Sequence, residues 1–128
     1  MYGFSTQMQI PFSGALTLVT SALREEGFGV ISEIDVQSTL KNRLGVDARP
    51  FQVLGVCNPY FSHQSLNADP DISHLLSCNV VVREMNDGNT CVSFMDPETL
   101  MSVVGNHEVN KIALLARERL VRVCNVLN

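Results

Sequence analysis

Residues 86–89, Asn-Asp-Gly-Asn, constrain this chain more tightly than any other stretch. Asn, Asp and Gly accept the backbone geometry of a tight reversal, and two β-prone runs flank them. The incoming run, Cys78–Glu84, is rich in valine. The outgoing run, Thr90–Met95, alternates, with Thr90, Val92 and Phe94 on one side and Cys91, Ser93 and Met95 on the other. The pattern predicts an antiparallel hairpin, and with it a sheet whose apolar side must be covered by other elements.

The remaining segments supply that cover. Phe4, Thr6, Met8 and Ile10 alternate with polar residues as a half-buried strand does, and Pro11 ends it. Ser13 is placed to cap a helix carrying Phe12, Leu16, Val19 and Leu23, which Gly27 should close. Phe28–Val36 reads as a second strand, with Phe28, Val30, Ile34 and Val36 on one face; Ile31 spoils the alternation. A helical turn is expected over Ser38–Leu44. Phe51–Val56 is nearly all apolar, as a strand buried on both faces in the middle of a sheet would be. Asn58 and Pro59 then form a helix start, and Asp69-Pro70-Asp71 a turn or a second start.

After the hairpin, Asp96-Pro97-Glu98 repeats the helix-start pattern. Gly105 breaks that helix, and a longer one follows with Val109, Ile112, Ala113, Ala116, Leu120, Val123 and Leu127 on one stripe. The order is β-α-β, short α, β-α-β-β-α, a single α+β domain over residues 1–128. A chain of 128 residues with 45% hydrophobic content can bury a genuine core.

Composition excludes several classes. A net charge of −4 disfavours nucleic acid as a partner, and Arg117, Arg119 and Arg122 read as cations near a helix end rather than a binding patch. No apolar run reaches the length of a membrane span, and no leader pattern is visible, so a cytoplasmic, reducing location is expected. The four cysteines at 57, 78, 91 and 124 have no zinc or disulfide spacing.

Candidate chemistry concentrates in the two Cys-Asn pairs. Cys57 ends a strand just before a helix N-terminus, where a thiol can be activated; the plainer alternative is a small buried hydrophobe. Cys78 would join it if the strands are neighbours. Asn58 and Asn79 are expected to be structural, one capping a helix and the other tying loop backbone groups. His63 is the nearby base that a cysteine-dependent enzyme would need. No metal site is expected: His63 and His74, eleven residues apart, would lie about 16 Å apart along one helix. Asp96 and Glu98 are explained as helix-start residues without catalysis.

The stretches EEGFGVISEIDVQSTLKNRLGVDARPFQVLGVCNP, ADPDISHLLSCNVVV and SFMDPETL resemble the family known as domain of unknown function 302, along nearly the whole chain. The resemblance implies helices on one face of an antiparallel sheet, in a layout similar to TATA-box-binding-protein-like domains, and a homodimer. Both Cys-Asn pairs belong to the family pattern. Ser77 stands where the family places proline, and Ser73-His74 where it places glycine. The resemblance implies no activity and no cofactor. The reading carried forward is a small ligand-binding or redox-linked module with candidate site residues Cys57, Asn58, Cys78, Asn79 and His63. The alternatives are a cysteine-dependent enzyme and a purely structural or protein-interaction domain.

Overall fold

The computed structural model describes residues 2–128. Five strands, β1 (Gly3–Met8), β2 (Gly29–Asp35), β3 (Phe51–Cys57), β4 (Cys78–Glu84) and β5 (Thr90–Met95), form one antiparallel sheet in the order β1-β5-β4-β3-β2. The hairpin falls where its turn residues place it, with Glu84 opposite Thr90 and Val80 opposite Phe94. Around the sheet lie α1 (Phe12–Glu25), α2 (Val36–Leu44), α3 (Pro59–Ala68), α4 (Pro97–Met101) and α5 (His107–Leu127), with a 3-10 turn at Pro70–Leu75.

Helices α1 and α5 cover one face. There Leu54, Val56, Val80, Val82, Val92 and Phe94 are sealed against Val19, Leu23, Leu120 and Val123. Removal of this apolar surface from water is the main stabilising term. A second cluster, Ile72, Met101, Val109 and Ala113, joins the 3-10 turn, α4 and the start of α5. On the other side of the sheet, Ser5, Gln7, Ser32, Ile34 and Asn79 are exposed.

Four expectations are corrected by this arrangement. β3 is internal but lies beside the edge strand β2, and the centre of the sheet is β4. Its apolar run is covered on one face only, since Phe51 and Val53 remain half-buried while Leu54 and Val56 are sealed. In β2 the misfit of Ile31 is a register shift between Val30 and Ser32. The extra residue sends Ile34 to the face opposite Val30. Gly55 sits across from Ser32, and a Cβ there would collide with the Ser32 hydroxyl.

Ser13 does not cap α1, which begins after Pro11 with no side-chain cap bond. Nor do the arginines answer a helix dipole, because the last turn of α5 holds no basic residue. Each has a specific partner instead. Arg117 Nε donates to Asp96 Oδ2 at 3.0 Å, Arg119 Nη1 to the Glu26 carbonyl at 3.1 Å, and Arg122 Nη2 to Glu26 Oε1 at 2.9 Å.

Candidate functional site

The joint between β3 and α3 is built from the residues that its sequence advertises. The Asn58 side chain accepts from the Tyr60 N–H at 3.1 Å, and Pro59 occupies the first turn, where no N–H is needed. Asn58 is buried, and its Nδ2 donates to the Glu26 carbonyl at 3.4 Å. That carbonyl, at the end of α1, also receives Arg119, so one oxygen ties α1, α3 and α5 together. Gly27 follows with φ 85°, and a Cβ on it would lie 2.9 Å from Asn58 Nδ2. Only glycine suits both the left-handed backbone and the space.

On the neighbouring strand Cys78 pairs with Val56, which places it diagonally beside Cys57. Both cysteines, with Asn58, line a cavity of about 50 Å³ between the end of the sheet and α3, α4 and α5. It lies on the seam between the two apolar clusters, with Phe28 and Val56 from one and Met101, Val109 and Ala113 from the other. Cys57 and Cys78 are half-buried, whereas Cys91 and Cys124 are buried elsewhere; all four are free. Burial pushes the Cys78 thiol up to about 11, aided by the nearby Asp96 carboxylate and by Cys57. It is a neutral thiol at physiological pH.

The other two candidates are not brought to this cavity. Asn79 follows Cys78 in a strand, so it points to the opposite face, where it is exposed and lines a shallow groove with Tyr2, Ser5, Val81, Ser93 and Met95. The role expected for it is to tie loop backbone; among the described residues its side chain makes no hydrogen bond. His63 is exposed on α3, its Nε2 3.5 Å from Asn67 Nδ2. It is absent from the cavity lining. His74 is exposed on the 3-10 turn. Among the described residues no group of three or more His, Cys, Asp or Glu side chains could hold a metal ion.

The groove is the larger hollow, about 700 Å³, but among the described residues Tyr2 is its only titratable lining group. The candidate chemistry therefore lies in the smaller cavity. Sequence reasoning missed Met101, Phe61 and Ser65 there. Phe61 and Ser65 stand four apart on α3, a spacing that would have shown one buried helical face. Met101 carries no such signal, because α4 is too short to show a period.

The architecture is that of an α+β domain with helices packed on one face of a five-stranded antiparallel sheet. The family model of the domain of unknown function DUF302 matches residues 4–127, and the chain belongs to that family. The crystal structure of an uncharacterized conserved DUF302 protein from Bacillus stearothermophilus superposes with a TM-score of 0.91 at 25% identity, covering 100% of this chain and 99% of that one. No curated protein matches the sequence. Among the described residues no helix is long and apolar enough to cross a membrane.

Proposed function

We propose that this protein is a small-ligand-binding module, without catalysis of its own, whose site is the cavity shared by Cys57, Asn58 and Cys78. The observation that carries this reading is that two half-buried cysteines from adjacent strands line one small cavity. A nucleophilic enzyme would need a base beside the sulfur. The lining offers none, and Cys78 is held neutral. Two free thiols at a functional site also suit a reducing, cytoplasmic setting.

Thiol accessibility in the folded protein tests the reading. A small alkylating reagent should label Cys57 and Cys78 under native conditions, well before Cys91 and Cys124. Labelling of the first two only after unfolding would make them core filler and leave a structural or interaction domain.

A homodimer through the open face of the sheet is a second reading, favoured by exposed area. A folded monomer of this size exposes about 6,700 Å², and this chain exposes 7480 Å². The excess, about 750 Å², is close to the roughly 800 Å² that each partner contributes to a standard interface. Ile31 and Ile34 are 61% and 54% exposed, and the groove lies on the same sheet. Light scattering should report a dimer that Ile34→Glu converts to monomer. A monomeric wild-type protein at high concentration would end this reading.

A further inference from the structure

We propose that the cavity beside the β3–α3 joint takes one small uncharged molecule, a short-chain alcohol, with its oxygen on the Ser65 hydroxyl and its carbons against the apolar wall. The proposal rests on the ligand-binding reading above and names the ligand class. It requires no contact between the two cysteine sulfurs.

Three features of the cavity select this class. The first is size. Sites for organic ligands usually measure about 300–1,000 Å³, and a dry apolar cavity of about 150 Å³ admits benzene. This cavity is about 50 Å³, which suits a guest of about two or three non-hydrogen atoms.

The second is the wall. Phe28, Val56, Phe61, Met101, Val109 and Ala113 line the cavity, and all are buried. Among the described residues no carboxylate, ammonium, guanidinium or imidazole lines it. An ion placed there would lose its hydration and gain no partner. The charge that acts on Cys78 from outside the lining is the Asp96 carboxylate, which repels an anion and is already paired with Arg117 at 3.0 Å.

The third is a hydroxyl. Ser65 is 7% exposed, and among the described residues no hydrogen bond engages its side chain. No fully sealed side-chain oxygen or nitrogen there lacks a partner, so this hydroxyl keeps contact with open space, and the space that Ser65 lines is the cavity. The Asn58 amide, by contrast, is engaged by the Tyr60 N–H and the Glu26 carbonyl. A water would satisfy the Ser65 hydroxyl but forfeit contact with the apolar wall, whereas an alcohol satisfies both.

The test is a titration of the reduced, isotope-labelled, full-length protein with ethanol, followed by amide NMR shifts. Ethanol has three non-hydrogen atoms, so its Kd should be millimolar and no tighter than about 0.5 mM. Saturating shifts should appear at Ser65, Cys78, Met101 and their neighbours in the lining. Formate, an anion with the same number of non-hydrogen atoms, should produce none there. Ser65→Ala should weaken ethanol about fivefold and leave xenon, which uses the apolar wall alone, unchanged. Xenon should also displace ethanol from the wild-type protein, a measurement that covers the case in which the variant fails to fold. The assignment is overturned if the ethanol shifts do not saturate or lie outside the lining, or if formate binds as well as ethanol. It is equally overturned if Ser65→Ala leaves ethanol affinity unchanged, or if xenon and ethanol bind independently.

Alkylation separates this assignment from the reading beneath it. If Cys57 and Cys78 label natively and ethanol does not bind, the alcohol assignment fails and the ligand-binding reading stands. If both label only after unfolding, both fail.

Discussion

The two Cys-Asn pairs are the same dipeptide in two different settings. Cys57-Asn58 ends a strand and opens a helix, so its asparagine turns inward, caps α3 and reaches the Glu26 carbonyl. Cys78-Asn79 begins a strand, so pleating sends the cysteine to the cavity and the asparagine out to the open face. The cysteines line one cavity and the asparagines do not share one. What a short motif does is therefore decided by its place in an element, and two copies of one motif need not share a role.

Replacement of the asparagines should break the pairs apart most clearly. Asn58→Ala removes a cap worth about 1 kcal/mol and a second buried hydrogen bond worth about 1 kcal/mol more, so chemical denaturation should show a loss of about 2 kcal/mol. Asn79→Ala, at the other end of the comparison, should change stability by less than about 0.5 kcal/mol. Equal costs would mean that the second pair also anchors the fold.

The thiols give a contrast of similar size that depends on pH. Cys78 has its pKa raised from 9.0 to about 11 in the folded state. The unfolded chain ionises first, so the stability present below pH 9 falls as pH rises towards 11. The loss should be on the order of 2 kcal/mol. Subtracting the pH profile of Cys78→Ala from that of the wild type isolates this contribution, and a flat difference would place Cys78 in contact with solvent.

Arg119→Ala should follow with a smaller effect. It removes the second donor on the Glu26 carbonyl and the cation over Phe61, for about 1 kcal/mol. Combined with Asn58→Ala, its effect should be non-additive, because the two side chains share one acceptor. Arg122→Ala should cost the least, since its pairing with Glu26 is largely exposed.

Much of the fold is legible in the sequence because local chemistry and tertiary structure agree. The hairpin, the Asn58-Pro59 and Asp96-Pro97 helix starts and the α5 stripe all appear where their residues place them, with the Glu98 N–H donating to Asp96 at 2.9 Å. Where the reading failed, long-range packing had intervened. The bulge at Ile31 reversed the facing of the rest of β2, and strand order left β3 with one open face. Cys57 and Cys78 could be named from the chain. That both line one cavity depends on the pairing of β3 with β4, and Met101 arrives from an element with no sequence period.

Helix α2 is nine residues long and hides no side chain, with Leu44 70% exposed. Short helices hold mainly through burial, so this one rests on its ends: the Ser38 N–H and hydroxyl donate to Asp35, and Gly45 closes the last turn. Its amide hydrogens should therefore exchange with solvent through local opening, far faster than those of β4, whose release requires the whole domain to unfold. The Ser38 N–H holds the Asp35 carboxyl below its ordinary value of 3.8. Its support is present above that value and fades as the pH falls through the lower one. In acid, α2 should be the first element to exchange freely, while the sheet and the cysteine cavity stay protected.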